Sequence, residues 1–149
     1  MIHLKQYKIY TAGKMTGLTY EEQMGWRDAV GRAIREKSEK SVLVVNPPKY
    51  YNPNDAHASK LDAEAKEWDL SQIADSDIVI FNLNDIESSI GTLYELGFAN
   101  AINSYTNRHI YIIGVGGKRP MHPWIESGLF RWEPDFWSAA DYIVSHLII

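Results

Sequence analysis

Apolar residues gather in four short, nearly unbroken runs along the chain: Lys8 to Thr11, Val42 to Val45, Asp77 to Leu83 and His109 to Gly114. Continuous rather than alternating apolar runs of this length predict strands covered on both faces. Between them the apolar spacing changes to three and four. Met24, Trp26, Val30, Ala33 and Ile34 predict a helix from about Thr19 to Lys37, with Thr19 and Glu22 forming a capping box at its start. Further helices are predicted over Leu61 to Ala74 (Leu61, Ala65, Trp68 and Ile73 inward), Gly91 to Asn103, and Phe136 to Leu147. The alternation of strand and helix predicts an α/β protein in three layers, a parallel sheet between two sets of helices. In such sheets the reactive site lies outside the carboxyl ends of the strands. The loops beginning at Tyr10, Asn46 and Asn82 are therefore where chemistry is expected.

Composition narrows the classes. The chain has 149 residues, 45% of them hydrophobic, which is too many for a disordered chain and enough for one domain with a real core. With 15 Lys and Arg against 19 Asp and Glu, the net charge of −4 argues against a protein that coats a nucleic-acid polymer. There is no cysteine, so disulfides, thiolate catalysis and Cys-bearing zinc sites are excluded. That fits a reducing cytoplasm, and Met1 to Lys8 has no apolar stretch resembling a secretory signal. No apolar run is long enough to span a bilayer, so no membrane partner is expected. No two of the five histidines stand four residues apart, and no metal or other cofactor is expected.

Two of the loops carry candidate chemistry. The first, Tyr10 to Leu18, holds Gly13, Lys14, Thr16 and Gly17 just after a strand. Small residues there let a ligand approach the backbone, and Lys14 can meet an anion, although the spacing fits neither a Walker A loop nor a GxGxxG turn. The same residues would also serve an ordinary strand-to-helix turn. In the loop after the third strand, Glu95 falls in the first turns of the following helix, where the partial positive charge of the helix end is expected to favour its ionised form. An ionised carboxylate at that place is a candidate nucleophile or oxocarbenium stabiliser. It would equally be an exposed helix glutamate.

Taken together, Ile9-Tyr10-x-Ala-Gly, Trp68-Asp69-Leu70 ahead of Asp75-Ser76-Asp77-Ile78-Val79, and Gly91-Thr-Leu-Tyr-Glu95-Leu-Gly-Phe-Ala resemble the nucleoside 2-deoxyribosyltransferase family, in order and spacing, over roughly residues 8 to 125. The resemblance implies a flavodoxin-like fold and cleavage of the bond between a sugar and a nucleobase. It puts Glu95 on the glutamate that attacks C1′, Tyr10 on the tyrosine that orients it, and Asp69 on the aspartate that contacts the base and protonates it as it leaves. It also implies a homodimer or higher homo-oligomer with shared sites.

The chain departs from members acting on free nucleosides, which carry an aspartate six residues before the glutamate; here Ser89 stands there. A carboxylate would repel a 5′-phosphate, whereas a serine hydroxyl donates to it. Ser88, Lys14 and Thr16 are further candidate phosphate contacts, and Gly13 and Gly91 leave room at the backbone. A nucleoside 5′-monophosphate is therefore the expected substrate, and the resemblance to the family branch with the same serine leans the expectation to its hydrolysis, while the residues themselves leave hydrolysis and transfer both open. Base exchange between free nucleosides and a catalytically silent nucleotide sensor stand as alternatives. In the proline-rich stretch Asn46 to His57, Tyr50 or Tyr51 is expected to stack on the base or else to belong to an irregular connection. His122, with Arg119 as its rival, corresponds to a residue that reaches the sugar's 5′ end in a neighbouring subunit's site. The aromatic stretch Phe130 to Trp137 is expected to pack as core or subunit interface.

Overall fold

The computed structural model describes residues 5–51 and 62–149. Five parallel strands form one sheet: β1 (Gln6–Ala12), β2 (Ser41–Val45), β3 (Ile78–Asn82), β4 (Tyr111–Val115) and β5 (Arg131–Glu133). Their order across the sheet is β2-β1-β3-β4-β5. The helices are α1 (Tyr20–Lys37), α2 (Asp62–Ala74), α3 (Ile90–Tyr105), a short α4 (Pro123–Glu126) and α5 (Phe136–Tyr142), the last running into a π-helical turn over Ile143–Leu147. This is the flavodoxin-like doubly wound arrangement.

The four predicted strands are present, shifted by one or two residues at their ends. The predicted capping box is also formed: Thr19 Oγ1 accepts from the Glu22 amide and Glu22 Oε1 accepts from the Thr19 amide, both at 3.1 Å. Leu61 lies outside the described residues. The fifth strand is an addition. It lies within the stretch expected to be aromatic core or interface, where the outcome is divided: Trp132 is half-buried and donates from Nε1 to Gly116 O, and Phe136 stacks on Trp26, while Phe130 and Trp137 are exposed.

The apolar strands fill two cores. On β3, Ile78 and Ile80 face the α1 and α5 layer, packing with Ile9, Ile34, Ile113 and Ile143. Val79 and Phe81 face the α2 and α3 layer with Tyr10, Ile73, Leu96 and Ile112. Successive side chains alternate across a strand, so a strand buried on both faces has no polar position to spare. Each fully buried Ile or Phe contributes about 1.5–3 kcal/mol. From β1 the chain first crosses to β2 on one side, then returns to β3 on the other. That reversal opens a crevice at the carboxyl ends of β1 and β3, between Ala12 and Asn82.

Candidate active site

A cavity of about 460 Å³ opens at this crevice, lined among others by Gly13, Lys14, Thr16, Tyr51, Asp69, Ser88, Ser89, Gly91, Thr92 and Glu95. Gly13 is required by close packing: a Cβ there would stand 2.7 Å from Trp26 Cζ2 and 3.1 Å from Asn82 Cβ. Lys14 Nζ donates to Ser88 Oγ across the cavity mouth at 3.1 Å. The buried Ser89 hydroxyl is 2.6 Å from Thr92 Oγ1 at the start of α3.

The floor is made of ionisable groups. Tyr10 comes up from β1 and is fully buried; Asp69 projects from α2 and Glu95 from α3. Three of their polar atoms, Tyr10 Oη, Asp69 Oδ1 and Glu95 Oε2, are sealed from solvent and lack a well-aligned hydrogen-bond partner among the described residues, although the Tyr10 hydroxyl is near enough to act on both carboxyls. Unpaired buried polar atoms are uncommon, and a cluster of them beside a cavity points to a ligand that pairs with them. The other oxygen of Asp69 accepts a hydrogen bond from the Tyr51 hydroxyl.

Burial and mutual repulsion control the protonation of this floor. Burial pushes Glu95 up to about 8, helped by the charge of Asp69 and opposed by Tyr10 and Arg27. Burial also raises Asp69 to about 6, against the pull of the Tyr51 and Tyr10 hydroxyls and Arg27. Tyr10 and Tyr51 are both raised, by burial first and the two carboxyls next. This corrects the expectation that the helix end favours ionised Glu95. Glu95 is the sixth residue of α3, beyond the first turn where the dipole acts, and burial dominates there. Burial and the repulsion between the two carboxyls therefore favour one shared proton on the pair near neutral pH.

Of the residues singled out from the sequence, Gly13, Lys14, Thr16, Asp69, Ser88, Ser89, Gly91 and Glu95 meet at one cavity, with Tyr10 beneath it. His122 does not line it within this chain; it caps the start of α4, Nδ1 accepting from the Trp124 amide. Arg119 is likewise engaged elsewhere, with Glu126 at 3.1 Å and the Trp132 ring. Of the two tyrosines expected to stack on a base, Tyr51 bonds Asp69 instead, and Tyr50 lies against Trp68. Residues 52–57 of the same stretch lie outside the described residues. Sequence reasoning missed Arg27, which is buried behind β1. The available signal was its place on the stripe of Met24, Val30 and Ile34, at helical intervals of three and four.

Residues 9–113 match the family described as nucleoside 2-deoxyribosyltransferase, and the chain belongs to that family. Among solved structures it is similar to a 2-deoxyribosyltransferase from the psychrotolerant bacterium Bacillus psychrosaccharolyticus, with a TM-score of 0.67 at 19% identity over 91% of each chain. It is similar also to a conserved protein from Enterococcus faecalis V583, with a TM-score of 0.66 at 17% identity over 96% of this chain and 100% of that one. At these identities the likeness establishes the fold. Sequence comparison with curated proteins finds no match. No helix among the described residues is long and apolar enough to cross a membrane.

Proposed function

We propose that this protein hydrolyses the N-glycosidic bond of a nucleoside 5′-monophosphate through a glycosyl-enzyme on Glu95. The observation that carries this reading is the meeting of Asp69 and Glu95 at one cavity, each with a buried oxygen that lacks a well-aligned partner, with the buried Tyr10 hydroxyl acting on both. A Glu95 carboxylate oxygen attacks C1′ and the bond to the base breaks. The electron pair leaves on the base nitrogen, which takes a proton from Asp69. Water then attacks C1′, releasing the Glu95 carboxylate and giving a proton back to Asp69. The Tyr10 hydroxyl orients Glu95 throughout. For the first step the shared proton must sit on Asp69.

The phosphate end of the reading is supported by the opposite rim. Lys14, Thr16, Ser88 and Ser89 offer one positive charge and three hydroxyls, beside the amino end of α3, where backbone amides favour an anion. Self-association with shared sites is part of the proposal, and it is supported by the outer face of α3. Ile90, Tyr94 and Tyr105 are exposed on a helix whose only charged residue, Glu95, lines the cavity.

The test is a panel of nucleosides and their 5′-monophosphates, assayed for free base by chromatography with and without an acceptor base. Base and sugar phosphate released only from monophosphates are expected. A new nucleoside formed without free sugar would instead identify base exchange, and nucleotide binding without base release a silent sensor. Sedimentation of the same preparation reads the oligomer; a monomer would remove the shared-site part.

A further inference from the structure

Arg27 of α1 is the one lysine or arginine among the described residues that is fully buried, at 0% exposure. It belongs to none of the ion pairs formed among them. Its donors go to neutral oxygens instead: Nε to Thr11 Oγ1 at 3.2 Å, Nη1 to Gln23 O at 2.5 Å and Nη2 to Gly13 O at 3.1 Å. Its charge centre lies 4.5 Å from the Trp26 ring. Burying a cation without an anion beside it is costly, and an apolar side chain would serve a purely structural role better.

What the charge faces explains its presence. Tyr10 of β1, Asp69 of α2, Glu95 of α3 and Tyr51 after β2 all act on it through space, opposing the desolvation that lowers the guanidinium to about 10. Lys14, the other cation at the cavity, sits on its rim with Ser88. The hydrogen bonds reach both flanking loops. Gly13 O belongs to the turn that carries Lys14, and Thr11 Oγ1 donates onward to Asn46 Oδ1 at 2.7 Å, where the loop leading to Tyr51 begins.

We propose that Arg27 is the positioning residue of this site: from behind β1 it fixes the turn bearing Gly13 and Lys14, and it holds a buried positive charge behind the carboxyl cluster that includes Glu95. The second half rests on reading Glu95 as the nucleophile, but its test does not require turnover. Arg27→Gln removes the charge while keeping donors, and Arg27→Lys keeps the charge while removing the planar fork. With glutamate carbonyl carbons isotopically labelled, NMR follows the Glu95 carboxyl through a pH titration. The Gln variant is expected to raise its midpoint by about one pH unit or more, with the Lys variant close to wild type. In the Lys variant, amide hydrogen exchange at Lys14 is expected to quicken about tenfold, from the loss of the charged hydrogen bond to Gly13 O.

A Glu95 midpoint unchanged in a folded Gln variant overturns the electrostatic role, and unchanged Lys14 exchange in the Lys variant overturns the clamp. Should the Gln variant fail to fold, the Lys variant decides through both readouts, since a large midpoint shift with the charge retained also refutes the assignment. If wild type releases no base yet the shifts occur, the reaction is wrong and the role of Arg27 stands.

Discussion

Behind β1, on the α1 side of the sheet, Arg27 directs its donors onto Thr11, Gln23 and Gly13, and Gln23 Nε2 donates to Met15 O and Leu18 O. In front of it, on the α2 and α3 side, Tyr10 Oη, Asp69 Oδ1 and Glu95 Oε2 are also buried but lack well-aligned partners. One strand thus separates a polar cluster that is largely satisfied, with Gln23 Oε1 its exception, from one held incomplete. The first kind rigidifies a fold; the second costs stability and is understandable only if a ligand completes it. The difference teaches where to expect a trade between stability and activity.

The largest effect should come from Glu95→Gln. Base release is expected to fall about 10⁴-fold, as when a nucleophile is removed from a group acting as a unit, while the fold gains stability. Glu95 binds its proton more tightly in the folded protein than in the unfolded chain. Native stability therefore falls as pH rises from the unfolded carboxyl range toward about 8. Gln does not titrate, so the advantage of the variant in Tm should be small near pH 5 and grow to several degrees near pH 8. A variant less stable than wild type at pH 8 would show that the front cluster is structural after all.

The second effect is on rate. With Asp69 near 6 and Glu95 near 8, one shared proton exists only between those values. The pH profile of base release should be bell-shaped between them. It should fall about tenfold per unit below the lower limb, where no carboxylate remains, and similarly above the upper limb, where no acid remains. A profile flat from pH 5 to 9 breaks the assignment of roles.

The smallest effect compares two glycines. Gly13→Ala forces a Cβ against Trp26 and Asn82 and should cost about 1–3 kcal/mol in urea unfolding. Gly97→Ala, on the open face of α3 with nothing within 4 Å, should gain about 0.5–1 kcal/mol. Equal responses would mean that the turn over Trp26 is softer than its packing implies.

The front cluster was far more legible in the sequence than the back one. Strands β1 to β4 read as apolar runs because both their faces are covered, and the order of elements located the crevice. Tyr10, Asp69 and Glu95 then stood out by resemblance. β5 escaped because Arg131, Trp132 and Glu133 form an edge strand of three residues with no apolar run. Arg27 escaped because a charged residue in an amphipathic helix ordinarily faces water. The ionisation of Glu95 was misjudged because the local helix end is visible in sequence, whereas burial contributed by α2 and β1 is not. The sequence points to Tyr51 for its ring, whereas the structure engages its hydroxyl, which donates to Asp69.

The strand order also bears on how the chain is assembled during synthesis. β1 is made first, yet it lies in the interior of the sheet and meets β3 only after residue 82 exists. Until then a nascent chain can pair β1 with β2 and leave the other edge of β1 open, with Tyr10 on it. Glu95 follows later still. The incomplete polar cluster therefore cannot close until α3 has been made, and a ribosome stalled before α3 would present an unpaired strand edge to chaperones rather than a partial site.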